Sequence, residues 1–186
     1  DLDFEDAVSI FAKTVKLGVK YGVDLIIIET MNDSYETKAA LLAVKENSDL
    51  PVIVSNAYGE DGKLMTGATP AAMVALVEGM GADAVGANCS LGPAQLREVA
   101  QELIKNASIP IILKPNAGLP KSVDGKTVFD ITIDEFANEL AELLVLANIP
   151  NSKKDELYAR HIAAVADINA MENEPMEVTN GEVEEK

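Results

Sequence analysis

Tryptophan is absent from the sequence, cysteine occurs once, and aromatic residues make up only 4% of its 186 positions. Recognition of bases or sugars by stacking therefore has almost nothing to work with. A single cysteine cannot close an internal disulfide, which makes a reducing cytoplasm the expected location. Basic residues are scarce as well, with 15 lysines and arginines against 31 aspartates and glutamates and a formal charge of −16. That balance argues against a nucleic-acid backbone or an anionic membrane as partner. No apolar run approaches the ~18–20 residues of a membrane span, and the start lacks the basic-then-apolar pattern of a secretory signal.

What the chain has in quantity is hydrophobic residues, 48% of the total, enough for one domain with a real core. Phe4, Val8, Phe11, Val15 and Val19 recur at helical spacing, with Gly22 behind Tyr21 as a C-cap. A chain that opens on a helix and then enters a parallel sheet reads as cut from something longer. Asp24-Leu25-Ile26-Ile27-Ile28 is the kind of β-branched, apolar run that marks a strand buried on both faces, and it ends in Glu29-Thr30. Asp33 and Glu36 form a capping box for a helix reaching about Glu46. Pro51 to Asn56 is the next strand. The loop behind it, Ala57 to Ala68, carries Gly59, Gly62 and Gly67; it exceeds the usual two to six residues and reads as a functional flap.

Thr69-Pro70 starts another helix, Ala82-Asp83-Ala84-Val85 is a small apolar strand, Pro93 opens a helix to about Asn106, and Ile109 to Leu113 is the fourth strand. Strand starts near 24, 51, 83 and 110 have the beat of βα units joined by right-handed crossovers into a parallel sheet. Doubly wound sheets and barrels share that beat. Beyond Gly118 a long polar loop leads to Thr132, whose partner Glu135 completes a capping box for a helix to about Leu146. A C-terminal helix is expected within residues 151–170, where His161 reads as a core-edge residue rather than a ligand. Residues 171–186, rich in glutamate, read as a disordered acidic tail.

The single cysteine lies in Gly86-Ala87-Asn88-Cys89-Ser90-Leu91-Gly92-Pro93, a strand-to-helix turn at the carboxyl end of a strand. In proteins built of βα units that edge collects the chemistry. A thiolate there is a nucleophile or a metal ligand, although spacing alone favours a small buried hydrophobe. The stretch resembles the Asn-Cys-x-x-Gly-Pro signature of the zinc-dependent homocysteine S-methyltransferases, and within them the homocysteine-binding barrel of cobalamin-dependent methionine synthase. Ile28-Glu29-Thr30-Met31, Thr66-Gly67, Lys114-Pro115-Asn116-Ala117-Gly118 and Asp124-Gly125-Lys126-Thr127-Val128 follow the family's order and spacing, so the resemblance covers about residues 4–146.

The resemblance implies an α/β fold over residues 1–150: a partial TIM-type (βα)8 barrel of about four parallel βα units, strands four to seven, followed by the C-terminal helix. It implies methyl transfer to the zinc-activated thiolate of homocysteine, forming methionine. A free thiol has a pKa near ~8.5, and zinc, as a Lewis acid, removes that proton while leaving the sulfur nucleophilic. Cys89 is implied as the first zinc ligand. The family's other two ligands come from a Gly-Gly-Cys-Cys-Gly-Thr motif, and Ala147 to Ser152 stand here without a cysteine, so the zinc site is incomplete.

Glu29 is the candidate for the substrate's ammonium, because an unpaired carboxylate at a strand end is costly to bury and calls for a cation or water. Asn88 and Asn116 are candidates to orient the amino acid, with Ser55 and Asn56 weaker ones and loop capping open for each. No catalytic residue is assigned. Lys114 at a strand end could form a Schiff base with a carbonyl substrate, a chemistry the family does not have. Homocysteine is the implied partner, and cobalamin enters only through other domains, whether cobalamin- and folate-binding ones or a second chain. The competing reading is a non-catalytic barrel fragment or amino-acid-binding module needing a second chain.

Overall fold

A computed structural model describes residues 2–118, 120–123, 126–129 and 131–146. The helix expected within 151–170, with His161, and the acidic tail at 171–186 lie outside the described residues. The elements run α1 (Phe4–Lys20), β1 (Ile26–Met31), α2 (Ser34–Asn47), β2 (Val52–Asn56), α3 (Pro70–Gly79), β3 (Ala84–Asn88), α4 (Pro93–Asn106), β4 (Ile111–Lys114), β5 (Pro120–Val123), β6 (Lys126–Phe129) and α5 (Ile133–Leu146).

Side-chain caps set most helix starts. Asp33 accepts from the Glu36 amide at 2.7 Å, Thr69 from the Ala72 amide at 3.3 Å, and Thr132 and Glu135 bond each other's amides in a full capping box. Gly92 caps α4 without a side chain; there Glu139 of α5 reaches back to the Ala94 amide at 3.2 Å, and Arg97 pairs with Glu142 beside it.

The first four strands pair in parallel in chain order, β1-β2-β3-β4. A doubly wound sheet reverses its strand order at a switch point; here the order never reverses, which is how a barrel wall is laid down. Among the described residues the barrel is not closed. The register puts Ile28, Val54, Val85 and Ile111 in one row. Their face meets Leu41 and Val44 of α2, Met73, Val74 and Val77 of α3, and Leu96, Val99 and Leu103 of α4 in one apolar core. By the two-residue alternation of a strand, the opposite face carries Ile27, Glu29, Ile53, Ser55, Ala84, Gly86, Asn88, Ile112 and Lys114. Apolar residues line the start of that face and polar ones its carboxyl end.

Three expectations give way. The run at residues 24–28, expected to be buried on both faces, leaves Leu25 and Ile27 exposed. The polar stretch after Gly118 contains a hairpin, β5 pairing antiparallel with β6 from Pro120–Phe129 to Val123–Lys126, and Asp124-Gly125 between them is the dipeptide that favours such turns. The loop after β2 is pinned: its amides at Gly59, Gly62, Leu64 and Gly67 all bond within the loop, and Tyr58 and Leu64 are buried in the core. The Tyr58 hydroxyl has no partner there, and burial pushes its pKa well above the usual phenol value.

Glu78 of α3 ties down the turn into β4. Its carboxylate accepts from the Ser108 amide at 2.6 Å, the Ile109 amide at 2.9 Å and the Ser108 hydroxyl at 3.0 Å. The Ser108 amide above all, against a smaller opposing desolvation, holds its pKa below the ordinary carboxylate value. The charged form is favoured in the fold, so the stability it brings is complete above the unfolded value near ~4.3 and is lost as pH falls through the lowered folded value. Glu78→Gln is expected to make the acid limb of the pH–stability curve shallower, as urea midpoints measured between about pH 6 and 3 will show.

Candidate functional site

The register between β1 and β2 advances from Ile28–Val54 to Met31–Asn56, three steps on one strand against two on the other. This extra residue is a β-bulge at Glu29-Thr30, and bulges re-aim side chains beside sites. Thr30 is left at φ 62°, with Cys89 at 60° and Ser90 at 58° in the turn two strands away. These are the three non-glycine residues with positive φ among those described. Each costs on the order of 1–3 kcal/mol and persists only where surrounding bonds impose it.

Those bonds converge on Asn88, which is 3% exposed. Its Oδ1 accepts from the Thr30 amide at 3.0 Å and from the Ser55 hydroxyl at 2.6 Å. A backbone amide can only donate, so the side-chain amide orientation is fixed and Nδ2 faces the other way. Nδ2 donates to Thr30 Oγ1 at 2.7 Å and to Cys89 Sγ at 3.0 Å. Thr30 Oγ1 lies 3.9 Å from the same sulfur. One buried amide thus joins β1, β2 and the Cys89 turn, and Cys89 stays partly open to solvent.

Glu29 meets a cation, the Lys114 ammonium, in an ion pair whose two side chains are each 47% exposed. The partners stand on the two edge strands of the sheet, three strand spacings or ~14 Å apart if it were flat, so the pair bridges the mouth of the concave face. Asn116, two residues beyond Lys114, bonds through its backbone amide to the Leu91 carbonyl at 2.9 Å, and the Cys89 amide bonds to the Lys114 carbonyl at 3.1 Å. The loops after β3 and β4 are held together in this way. The described hydrogen bonds do not join the Asn116 side chain to Asn88 or Cys89. Asn56 is a structural tie: its Nδ2 bonds the Met31 carbonyl at 3.2 Å and Thr37 Oγ1 at 3.1 Å from a fully buried position.

Of the sequence candidates, the structure therefore joins Asn88 and Cys89 directly and sets Glu29 beside Thr30 on the same bulge. Thr30 was not among them, and Ser55 was only a weaker candidate. No periodicity announces a bulge or a positive φ at a threonine; the one available signal is the family-like run Ile28-Glu29-Thr30-Met31.

A catalytic zinc takes three protein ligands. Among the described residues, no group of three or more His, Cys, Asp or Glu side chains could hold a metal ion. The neighbours of the Cys89 sulfur are an amide N–H and a threonine hydroxyl. This donor set does not fit zinc.

The family model for homocysteine S-methyltransferase matches residues 1–168. The chain belongs to that family. Methionine synthases of Mycobacterium leprae (strain TN) and Mycobacterium tuberculosis (strain ATCC 25618 / H37Rv) are 34% and 33% identical to it over 125 residues, or 64% of the chain. That match spans only 10% of each of those proteins. In fold, this homocysteine S-methyltransferase-family chain matches the homocysteine methyltransferase MmuM from Escherichia coli. TM-scores are 0.57 for the apo form and 0.53 for the metallated form, at 21% and 23% identity. These matches cover 62% and 60% of the chain but 44% and 40% of MmuM. The parallel sheet with its helices is a sector of that barrel type. No helix among the described residues is long and apolar enough to cross a membrane.

Proposed function

We propose that the chain is the homocysteine-holding sector of a methyl-transferring barrel. In the reaction, the bond between a methyl group and its donor breaks, a bond from that methyl to the homocysteine sulfur forms, the thiol proton is lost and methionine results. The observation that carries this reading is the Asn88 network, which gathers Thr30, Ser55 and Cys89 at the carboxyl end of the sheet, with Asn88 and Cys89 in the family's Asn-Cys motif. Glu29 takes the amino acid's ammonium, Asn88 shapes the wall beside it, and Asn116, in the adjoining loop, offers an amide to the bound molecule.

Cys89 as a zinc ligand requires donors beyond the described residues, so no step is derived through the ion. Cobalamin- and folate-binding domains, where they supply the methyl group, lie outside this sequence; the tenth-length match to methionine synthases supports that arrangement. A cytoplasmic location accords with the lone cysteine.

A second reading, an amino-acid-binding module that needs a second chain, is favoured by β1. Among the described residues it is an edge strand, with Ile27 50% exposed and Leu25 just before it 43% exposed, the kind of edge that pairs with another strand.

Calorimetric titration of the full chain with L-homocysteine tests the main reading. Binding is expected, and Glu29→Gln is expected to weaken it at least about tenfold by removing a charge-assisted contact. Failure of homocysteine to bind would overturn the reading.

A further inference from the structure

We propose that Glu29 and Lys114 form a charge latch that a zwitterionic α-amino acid opens: Glu29 takes the ligand's ammonium, and Lys114 lets go of Glu29 to take its carboxylate. The inference rests on the reading above and adds to it a partner for the second charge of the ligand and a competitor for the first. Over the paired rows of the concave face, the residues are Ile27, Ile53, Ser55, Ala84, Gly86, Asn88, Ile112 and Lys114, with Glu29 beside them on the bulge. Glu29 and Lys114 are the two charged ones, of opposite sign, and they already hold each other across the mouth.

A molecule carrying an ammonium and a carboxylate on one carbon offers each of them a replacement of the same kind. The Glu29 carboxylate exchanges one ammonium for another, and the freed Lys114 exchanges one carboxylate for another, so no charge is left unpaired on a partly desolvated face. An amine without a carboxylate would evict Lys114 and leave it unmatched. A carboxylate without an amine would do the same to Glu29. Each half of the pair thus penalises a ligand that lacks its counterpart, which is specificity by an unpaired charge.

The latch can open readily because both side chains are half-exposed and flexible, and such pairs are weakly held. Lys114 is also well placed to swing without disturbing the sheet: its backbone carbonyl holds the Cys89 amide, and its Cα is registered against Asn88, so the strand stays fixed while the side chain moves.

The experiment titrates the full chain, wild type and Lys114→Met, with three ligands of equal length: L-homocysteine, 3-aminopropane-1-thiol, which lacks the carboxylate, and 4-sulfanylbutanoate, which lacks the amine. The wild type is expected to prefer homocysteine over both. In Lys114→Met, homocysteine is expected to bind about tenfold more weakly, whereas 3-aminopropane-1-thiol binds more tightly because Glu29 has lost its internal competitor. These opposite signs are what a merely structural lysine would not produce. Lys114→Gln repeats the test with a polar side chain, and far-UV circular dichroism checks that both variants fold. Wild-type binding of homocysteine with unchanged or uniformly weakened binding of all ligands in both variants would overturn the latch and leave the homocysteine reading standing. Absence of homocysteine binding in the wild type would overturn both.

Discussion

Gly86→Ala is expected to lower the melting temperature by at least about 6–12 °C, or to leave the chain insoluble on expression. A Cβ at this position would stand 1.9 Å from the Ile112 carbonyl oxygen and 2.9 Å from its carbon. Both are backbone atoms of the paired strand, so no rotamer change relieves the contact; β3 and β4 must part. Gly86 and Ile112 are partners in the middle of that ladder, between Val85–Ile111 and Ala87–Leu113. Separating them costs the bonds on either side and the packing of Val85 and Ala87 in the core. Overpacking against backbone belongs at or above the upper end of its usual range, about 3 kcal/mol, and about 2–4 °C per kcal/mol applies to a domain of this size. The damage also reaches the site, because Asn88 and Lys114 are the next registered pair but one. Gly79→Ala is the control: nothing lies within 4 Å of a Cβ there, and the residue is helical. That exchange is expected to leave the melting temperature unchanged or raise it. Thermal unfolding followed by circular dichroism distinguishes the two, and equal melting temperatures would refute the close-approach argument.

The contrast between those glycines bears on what a sequence can disclose. Elements declared by local chemistry were legible: the caps at Asp33, Thr69 and Thr132, the proline that opens α4 at Pro93, and strands written as runs of isoleucine and valine, each depend on residues within a few positions of one another. The hairpin at β5 and β6 is hard to read although Asp124-Gly125 signals one, because the charged and polar residues around it hide the alternation. Whether the βα units coil into a barrel wall or an open sheet is decided by strand order, which no local spacing records. The site divides in the same way. Cys89, Asn88 and Glu29 were marked by motif and by their places at strand ends. The strain at Thr30, the bond from Ser55 to Asn88 and the pairing of Lys114 with Glu29 join residues 33 to 85 positions apart. They exist only once the register between strands is set.

The register explains why Asn88→Ala is expected to be the most damaging change within the site. Removing the amide strands two donors at once, the Thr30 N–H and the hydroxyl of Ser55, which is fully buried. An unsatisfied buried donor costs about 1–3 kcal/mol; Thr30 is exposed, so water reaches its amide, and the expected loss of about 1–3 kcal/mol comes chiefly from Ser55. The same change removes the constraint that keeps Thr30 at positive φ and takes away the donor that faces the Cys89 sulfur. Strain that is no longer imposed will relax, and the Glu29-Thr30 bulge will relax with it. Homocysteine binding should therefore fall more steeply than stability alone would dictate. Ser55→Ala offers the comparison, since Asn88 Oδ1 keeps its bond from the Thr30 amide and the loss is one hydrogen bond, about 1 kcal/mol. Urea denaturation of both variants, with homocysteine titrations on each, separates the contributions. If Asn88→Ala proves no costlier than Ser55→Ala, the amide is only one contact among several. A large gap, with binding lost in Asn88→Ala and retained in Ser55→Ala, would mean that this single side chain holds three strand ends in the geometry that binds the amino acid.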